Sequence, residues 1–259
     1  MTLPNNLKFS LKLIALSLFI LATSCKTKEQ KIVTIATAAN MQFAMDELVA
    51  KFYDETGIKC QTIVGSSGKL TAQIKEGAPY DIFVSANMKY PNNLFRSGFT
   101  TSPPKIYAFG KLVLWTIKDT LQPSLTRLNQ KHIEHIATAN PKTAPYGIAS
   151  IETLKNANLY NEVESKLVYG QSIAQTNQFI TSKVADIGFT SKSVVLSPKM
   201  KGIGKWVEID STLYSPIKQG VVIIKNKKYK LKRATKFYNF LFSSKAKEIL
   251  NNFGYSTKK

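Results

Sequence analysis

Short apolar runs typical of buried strands alternate with helix-like patterns along most of the chain. The first such run covers residues 31–38 (KIVTIATA), and it precedes a segment in which Met41, Leu48 and Phe52 share one helical face. Strands that alternate with helices form an α/β architecture with parallel strands. A chain of 259 residues is long enough for one large domain or for two lobes.

The same patterns predict the remaining elements. Further strands are expected at 58–65, 81–86, 111–117, 133–140, 185–191 and 220–225. Helices are expected after the turns at 66–67, 145–147 and 172–173, and a C-terminal helix from about Ala234 to Phe242. Asn40 is predicted to cap the first helix, and Gly57 to end it.

The N-terminal residues have the layout of an export signal. Lysines precede the apolar run 13–22 (LIALSLFILA), which is too short to span a bilayer. The run leads into LATS and then Cys25, which resembles the lipobox in which that cysteine is acylated. We therefore expect a lipoprotein signal peptide at 1–24, a tether at 25–30 and a lipid anchor on Cys25. A plain signal peptide with an incidental cysteine is the alternative.

If Cys25 is acylated, the second cysteine, Cys60, has no partner, and no disulfide is expected. The formal net charge of +20 raises the question of an anionic partner. The lysines are spread along the chain, and an exported lipoprotein meets no genome. We therefore expect a solvated basic surface and no nucleic-acid partner. A basic lipoprotein that binds nucleic acid or anionic lipid remains the alternative of a different class.

Four predicted junctions between a strand and a helix share one chemistry. They are Ala39-Asn40, Ser66-Ser67, Pro145-Tyr146-Gly147 and Ser172-Ile173. Each one presents free main-chain N–H groups at the positive end of a helix. Turns of this kind that face one point would form an anion site made of neutral donors. Ordinary helix capping in an α/β protein is the alternative.

Three other chemistries fit the sequence poorly. GSSGK resembles part of a phosphate-binding loop, but its glycines are too close together, and Leu70 stands where Ser or Thr would bind magnesium. His132 and His135 lie in a polar run without a metal-ligand motif. The chain has no G-x-S-x-G, and no base can be assigned to Ser66 or Ser67. We therefore expect a binding protein and not an enzyme.

Several segments resemble the molybdate-binding proteins of bacterial ABC importers. The segments are ATAANMQFAMDELVAKF, GSSGKLTAQIKEGAPYDIFVSAN, YAFGKLVLW, NPKTAPYGIAS and ADIGFTS. The resemblance runs in order from about Lys31 to Tyr255, and its most specific part is G-S-S-G-x-L-x-x-Q-I-x-x-G-A-P-x-D-x-F-x-S-A. It implies an α/β fold of the type II periplasmic-binding-protein class, with two lobes joined by two crossover strands. Lobe 1 would cover 31–108 plus 214–259, and lobe 2 would cover 109–213.

The resemblance also implies the ligand and the residues that hold it. The ligand would be molybdate or tungstate, bound in the cleft between the lobes without a cofactor and without direct protein ligands to the metal. The positions that match the family's ligand residues are Ala39, Asn40, Ser67, Tyr146 and Ile173, the last two through main-chain N–H groups.

One position departs from the family pattern. Some members place a tyrosine donor where this chain has Ser191, whose side chain is shorter. The phenol of Tyr146 is the alternative donor. No acidic residue occurs at the four turns, so a tetrahedral oxyanion bound by hydrogen bonds alone is expected. The expected partner is an ABC transporter permease, and the protein is expected to be a monomer. Binding of another oxyanion, such as sulfate or phosphate, is the alternative on the same fold.

Overall fold

The computed structural model describes residues 32–225 and 228–257, and only the backbone of residues 228–230. The predicted signal peptide, Cys25 and the tether lie outside the described residues. The strands are β1 (Val33–Ala38), β2 (Cys60–Gly65), β3 (Ile82–Ser85), β4 (Lys105–Gly110), β5 (Leu112–Thr116), β6 (Ile136–Ala139), β7 (Leu167–Gly170), β8 (Ile187–Ser191), β9 (Lys205–Glu208) and β10 (Ile217–Ile223). The helices are α1 (Gln42–Thr56), α2 (Ser67–Lys75), α3 (Lys89–Arg96), α4 (Pro145–Asn156), α5 (Tyr160–Val163), α6 (Ile173–Thr181), α7 (Lys192–Val195), α8 (Lys228–Phe240) and α9 (Ser244–Asn252).

The strands form two five-stranded sheets, one in each lobe of an α/β fold. The first sheet has the order β2-β1-β3-β10-β4, and the second has the order β7-β6-β8-β5-β9. The chain passes from the first sheet to the second at Lys111, between β4 and β5, and it returns before β10. The exact boundaries of the lobes remain a prediction.

The prediction of parallel sheets is wrong in part, because both sheets are mixed. Strand β1 runs parallel to β2 and β3, but β10 runs antiparallel to β3 and β4. In the second sheet β6 runs parallel to its neighbours, whereas β5 runs antiparallel to β8 and β9. Parallel neighbours need a helical crossover between them. In the described sheet, strand β5 pairs only with β8 and β9, both antiparallel, so this requirement does not apply to it.

Local patterns predicted the first helices well. Met41, Leu48 and Phe52 are all buried, and Gly57 ends α1 in the left-handed conformation with a φ of 65°. The predicted capping role of Asn40 is wrong, because Asn40 lies inside a short 3-10 turn (Ala39–Met41) between β1 and α1. The side chain of Asn40 is buried and bonds to distant residues instead of the helix start.

The C-terminal helix differs from its prediction. Helix α8 begins at Lys228, before the predicted Ala234, and ends at Phe240. Ser243 then caps α9, because its hydroxyl accepts the N–H of Ala246. The many lysines of this segment hide the apolar face of α8 in the sequence. None of the helices in the described ranges is both long and apolar enough to cross a membrane. Cys60 is a free, half-buried thiol, and burial raises its pKa to about 12.

Candidate functional site

A small cavity lies where the starts of several helices from both lobes meet. It encloses about 190 Å³, including its mouth. Its lining residues are Ala38, Ala39, Asn40, Ser66, Ser67, Ala86, Ala144, Pro145, Tyr146 and Ile173. None of these ten carries a charge. The structure therefore brings together five of the six predicted site residues; the sixth, Ser191, does not line the cavity.

The cavity is lined by residues from all four predicted junctions. They belong to the 3-10 turn after β1 and to the starts of α2, α4 and α6. The first N–H groups of a helix have no partner within it. No described group accepts a hydrogen bond from the main-chain N–H of Ser67, Tyr146 or Ile173. The arrangement thus offers neutral donors, and the positive ends of helices, to one small enclosed space.

A hydrogen bond from Ala86 leaves Ser67 able to act as a donor. Its hydroxyl oxygen accepts the main-chain N–H of Ala86 at 3.0 Å, which leaves the hydroxyl proton free. The side chain is almost completely buried against the cavity. Ser67 can therefore donate both through its hydroxyl and through its N–H to an anion in the cavity.

Ser66, the other residue of the predicted Ser66-Ser67 junction, is a further candidate donor. It precedes α2 and lines the cavity, yet its hydroxyl makes no capping bond to the helix. The GSSG turn pointed to this region, but the sequence could not show that both serines face the same cavity.

Asn40 lines the cavity, but its side-chain amide is already hydrogen-bonded. Its amide nitrogen donates to Oε1 of Gln219 at 3.0 Å and to the hydroxyl of Tyr255 at 2.8 Å. These bonds occupy both amide protons, so the amide is not free to donate to a ligand. The carbonyl of Asn40 accepts the hydroxyl of Ser193 at 2.7 Å. The main-chain N–H of Asn40 is held in place by these contacts.

A group of buried tyrosines lies beside Asn40. The hydroxyl of Tyr146 is buried and has no partner in hydrogen-bonding geometry, although it lies near enough to Asn40 and Tyr255 to interact with them electrostatically. It packs against Gly110, where even a methyl group would collide with it. Burial raises the pKa of Tyr107, Tyr146 and Tyr255 well above the usual tyrosine value. These phenols therefore stay uncharged at neutral pH and add no negative charge next to the cavity.

Ser191 is buried and is not among the residues that line the cavity. Its hydroxyl is 2.9 Å from that of Ser193, which in turn bonds to the carbonyl of Asn40. Ser191 thus supports Asn40 through an intermediate residue, and the prediction that it binds the ligand itself has no support from its position.

The two histidines do not form a metal site within the described residues. No group of three or more potential metal ligands occurs there. The main-chain N–H groups of Glu134 and His135 both donate to Oδ2 of Asp186. Lys118 also pairs with that carboxylate. These bonds fix the loop before β6, which gives the histidine segment a structural role.

A family model of bacterial extracellular solute-binding proteins matches residues 33–256. The chain belongs to this family. It is 35% identical over 254 residues to the molybdate-binding protein ModA of Azotobacter vinelandii, which covers 96% of this chain and 99% of the relative. It is 29% identical over 260 residues to the putative ABC transporter substrate-binding lipoprotein YvgL of Bacillus subtilis (strain 168), which covers 97% of this chain and 99% of that one.

Solved structures of this solute-binding family agree with the fold. The Azotobacter vinelandii periplasmic molybdate-binding protein has a TM-score of 0.83 and 32% identity, and the match covers 88% of this chain and 100% of that one. The predicted two-lobed α/β fold is thereby confirmed, as is the resemblance on which it rested. The ligand-binding role of each single residue remains a prediction.

Proposed function

We propose that this chain is the extracytoplasmic substrate-binding protein of an ABC importer and that it binds molybdate. The observation that carries the proposal is the small cavity lined by uncharged residues from one 3-10 turn and three helix starts in two lobes. Such a cavity suits a compact oxyanion, because helix starts attract anions and none of the lining side chains carries a negative charge. The similarity to the Azotobacter protein over nearly the whole chain supports molybdate as that oxyanion.

Neutral donors suit capture followed by release. Many hydrogen bonds provide affinity, and no tight ion pair has to break when the anion moves on to the permease. Selectivity against sulfate would come from size, because sulfate shares the charge and the shape of molybdate. Helix starts would hold the donors at fixed positions, so that all of them reach only the larger anion; tungstate, which resembles molybdate in size, is expected to bind as well.

Thermal unfolding in the presence of different anions tests this function. The soluble chain 26–259 would be heated alone and with molybdate, tungstate, sulfate or phosphate at matched ionic strength. A ligand present at about 100 times its dissociation constant adds about 2.7 kcal/mol to the free energy of unfolding. We expect a higher melting temperature with molybdate and tungstate only. A higher melting temperature with sulfate or phosphate alone would leave the fold assignment intact but would show that the ligand is a different oxyanion.

We also propose that lipid on Cys25 holds the protein at a membrane surface. The proposal rests on the lipobox-like LATSC and on the similarity to the Bacillus relative, whose name includes the word lipoprotein. An acyl anchor would hold the two lobes near a permease without a spanning helix.

Replacing Cys25 by serine tests the anchor. We expect the wild-type chain, produced in a bacterium that acylates lipoproteins, to sediment with membranes and to partition into detergent. The Cys25→Ser variant should lose both properties, because serine cannot carry the lipid. Cys60→Ser is the matched control and should behave like wild type. A Cys25→Ser chain that still partitions into detergent would show that the attachment has another origin.

A further inference from the structure

Two hydrogen bonds join the lobes across the lip of the cleft. The main-chain N–H of Gly68, in the first turn of α2, donates to the carbonyl of Thr143 at 2.9 Å. The hydroxyl of Tyr90, in α3, donates to the carbonyl of Lys142 at 3.2 Å. Helices α2 and α3 belong to the lobe of the first sheet, whereas 142–143 precede α4 in the lobe of the second. Neither bond can persist when the lobes separate.

The acceptor loop is fixed independently of these contacts. Asn140 accepts the N–H of Lys142 with its side chain and those of Thr143 and Ala144 with its carbonyl. Its own N–H donates to the carbonyl of Gly170. The turn is therefore held by its own lobe, with the carbonyls of Lys142 and Thr143 aimed at the opposite lobe.

The close approach of Thr143 to α2 explains why residue 68 is a glycine. A methyl group there would lie 3.0 Å from Cα and from the carbonyl oxygen of Thr143, and 2.9 Å from the hydroxyl of Tyr90. The backbone of Gly68 is helical, and its φ is not in the left-handed region. Alanine therefore suits the local conformation better than glycine does. The Tyr90 hydroxyl belongs to the same lobe and is the end of a flexible side chain, so the backbone of Thr143 is the contact across the cleft that disfavours alanine here.

We infer that Gly68 and Tyr90 form a latch that closes the cleft over the bound anion and slows its release. The inference rests on the proposed function for the identity of the ligand. Gly68 does not contact the anion through its N–H, since that group is bonded to Thr143. Gly68 and Tyr90 are thus positioning residues: they hold the two lobes together while other groups bind the ligand.

The test uses four variants of the soluble chain. Gly68→Ala blocks the close approach, and Tyr90→Phe removes one hydrogen bond but keeps the ring. Ala72→Gly, at an exposed position of α2, weakens the same helix without contact across the cleft. Tyr53→Phe, at an exposed position of α1, is the control for loss of a phenol. Titration calorimetry and stopped-flow mixing with molybdate would give affinity and release rate, and unfolding without anion would give stability.

The latch predicts opposite effects on affinity and on stability. Gly68→Ala should bind molybdate at least about tenfold more weakly and release it faster, since the backbone of Thr143 meets the added methyl group only when the lobes are closed. Its unfolding temperature without anion should be unchanged or up to about 3 °C higher. Tyr90→Phe should lose about two- to tenfold in affinity, mainly through faster release. Ala72→Gly should unfold at a lower temperature but bind like wild type, and Tyr53→Phe should match wild type in both.

Two results would overturn the latch. One is a Gly68→Ala chain that binds within twofold of wild type. The other is a Gly68→Ala chain that unfolds at a clearly lower temperature without anion or fails to fold, because the lip would then be a fixed part of the fold. If wild type binds neither molybdate nor tungstate, the proposed function fails. A lower unfolding temperature of Gly68→Ala without anion would overturn the latch separately.

Discussion

Replacing Ser67 by aspartate should weaken molybdate binding by more than about 1,000-fold. Ser67 is almost completely buried and lines the cavity, so a carboxylate there would face the anion at close range. Two unit charges 4 Å apart repel by about 4 kcal/mol at an effective dielectric constant of 20, and a dianion doubles this. Each 1.4 kcal/mol changes the dissociation constant tenfold. Titration calorimetry with molybdate measures the loss.

Two further substitutions separate charge from size at this position. Ser67→Asn has the shape of aspartate without its charge, so it should retain far more affinity than Ser67→Asp. Ser67→Ala removes only the hydroxyl and should cost about 1–3 kcal/mol of binding free energy, because the anion loses a donor. Unfolding of each variant without anion checks that the fold is intact. Equal affinities for the Asp and Asn variants would remove Ser67 from the anion site.

The second large effect is expected at Gly147, in the first turn of α4. A methyl group there would lie 2.1 Å from the carbonyl oxygen of Ala139 and 2.7 Å from its carbonyl carbon. Both atoms belong to the backbone of β6, so a change of side-chain conformation cannot relieve the collision. Gly147→Ala should therefore lower the free energy of unfolding by at least about 3 kcal/mol. It should also weaken anion binding, because the N–H of Tyr146 belongs to the displaced turn.

Gly57→Ala provides the comparison for this variant. Gly57 faces open space but has a φ of 65°, so alanine there meets backbone strain without a collision. That strain costs about 1–2 kcal/mol. Denaturant unfolding of both variants would compare the two costs. If Gly147→Ala proves as stable as wild type, α4 does not need its close approach to β6 to form the cavity.

The strand-to-helix junctions were predictable because their chemistry is local. The GSSG turn, the P-Y-G turn and the Ser172 cap each combine residues that favour turns or helix starts between an apolar run and a helical pattern, and neighbours along the chain determine what such residues do. The apolar face of α1 was equally clear, since Met41, Leu48 and Phe52 repeat at helical spacing and all three are buried.

The role of Asn40 was not predictable, because its partners are distant in the sequence. An Asn after a strand and before a helix looks like a cap, yet Gln219 and Tyr255 bind its side chain from far along the chain. Ser191 is a similar case: the family resemblance implies a place for it in the site, but its hydroxyl contacts Ser193, and Ser193 in turn bonds to the carbonyl of Asn40. Strand β9 was also missed, since this edge strand is largely exposed and has no apolar run.

The position of β10 in the first sheet has a consequence for the order in which the protein folds. This strand, at Ile217–Ile223, lies between β3 and β4 and is the only strand that pairs with β4 in the described sheet. The second sheet, by contrast, is built from one continuous stretch, 112–208. During synthesis from the N-terminus, the second lobe has all its strands while the first still lacks an inner one. The first sheet, although its first strand is made before any other, can therefore be completed only after β10 has been synthesised.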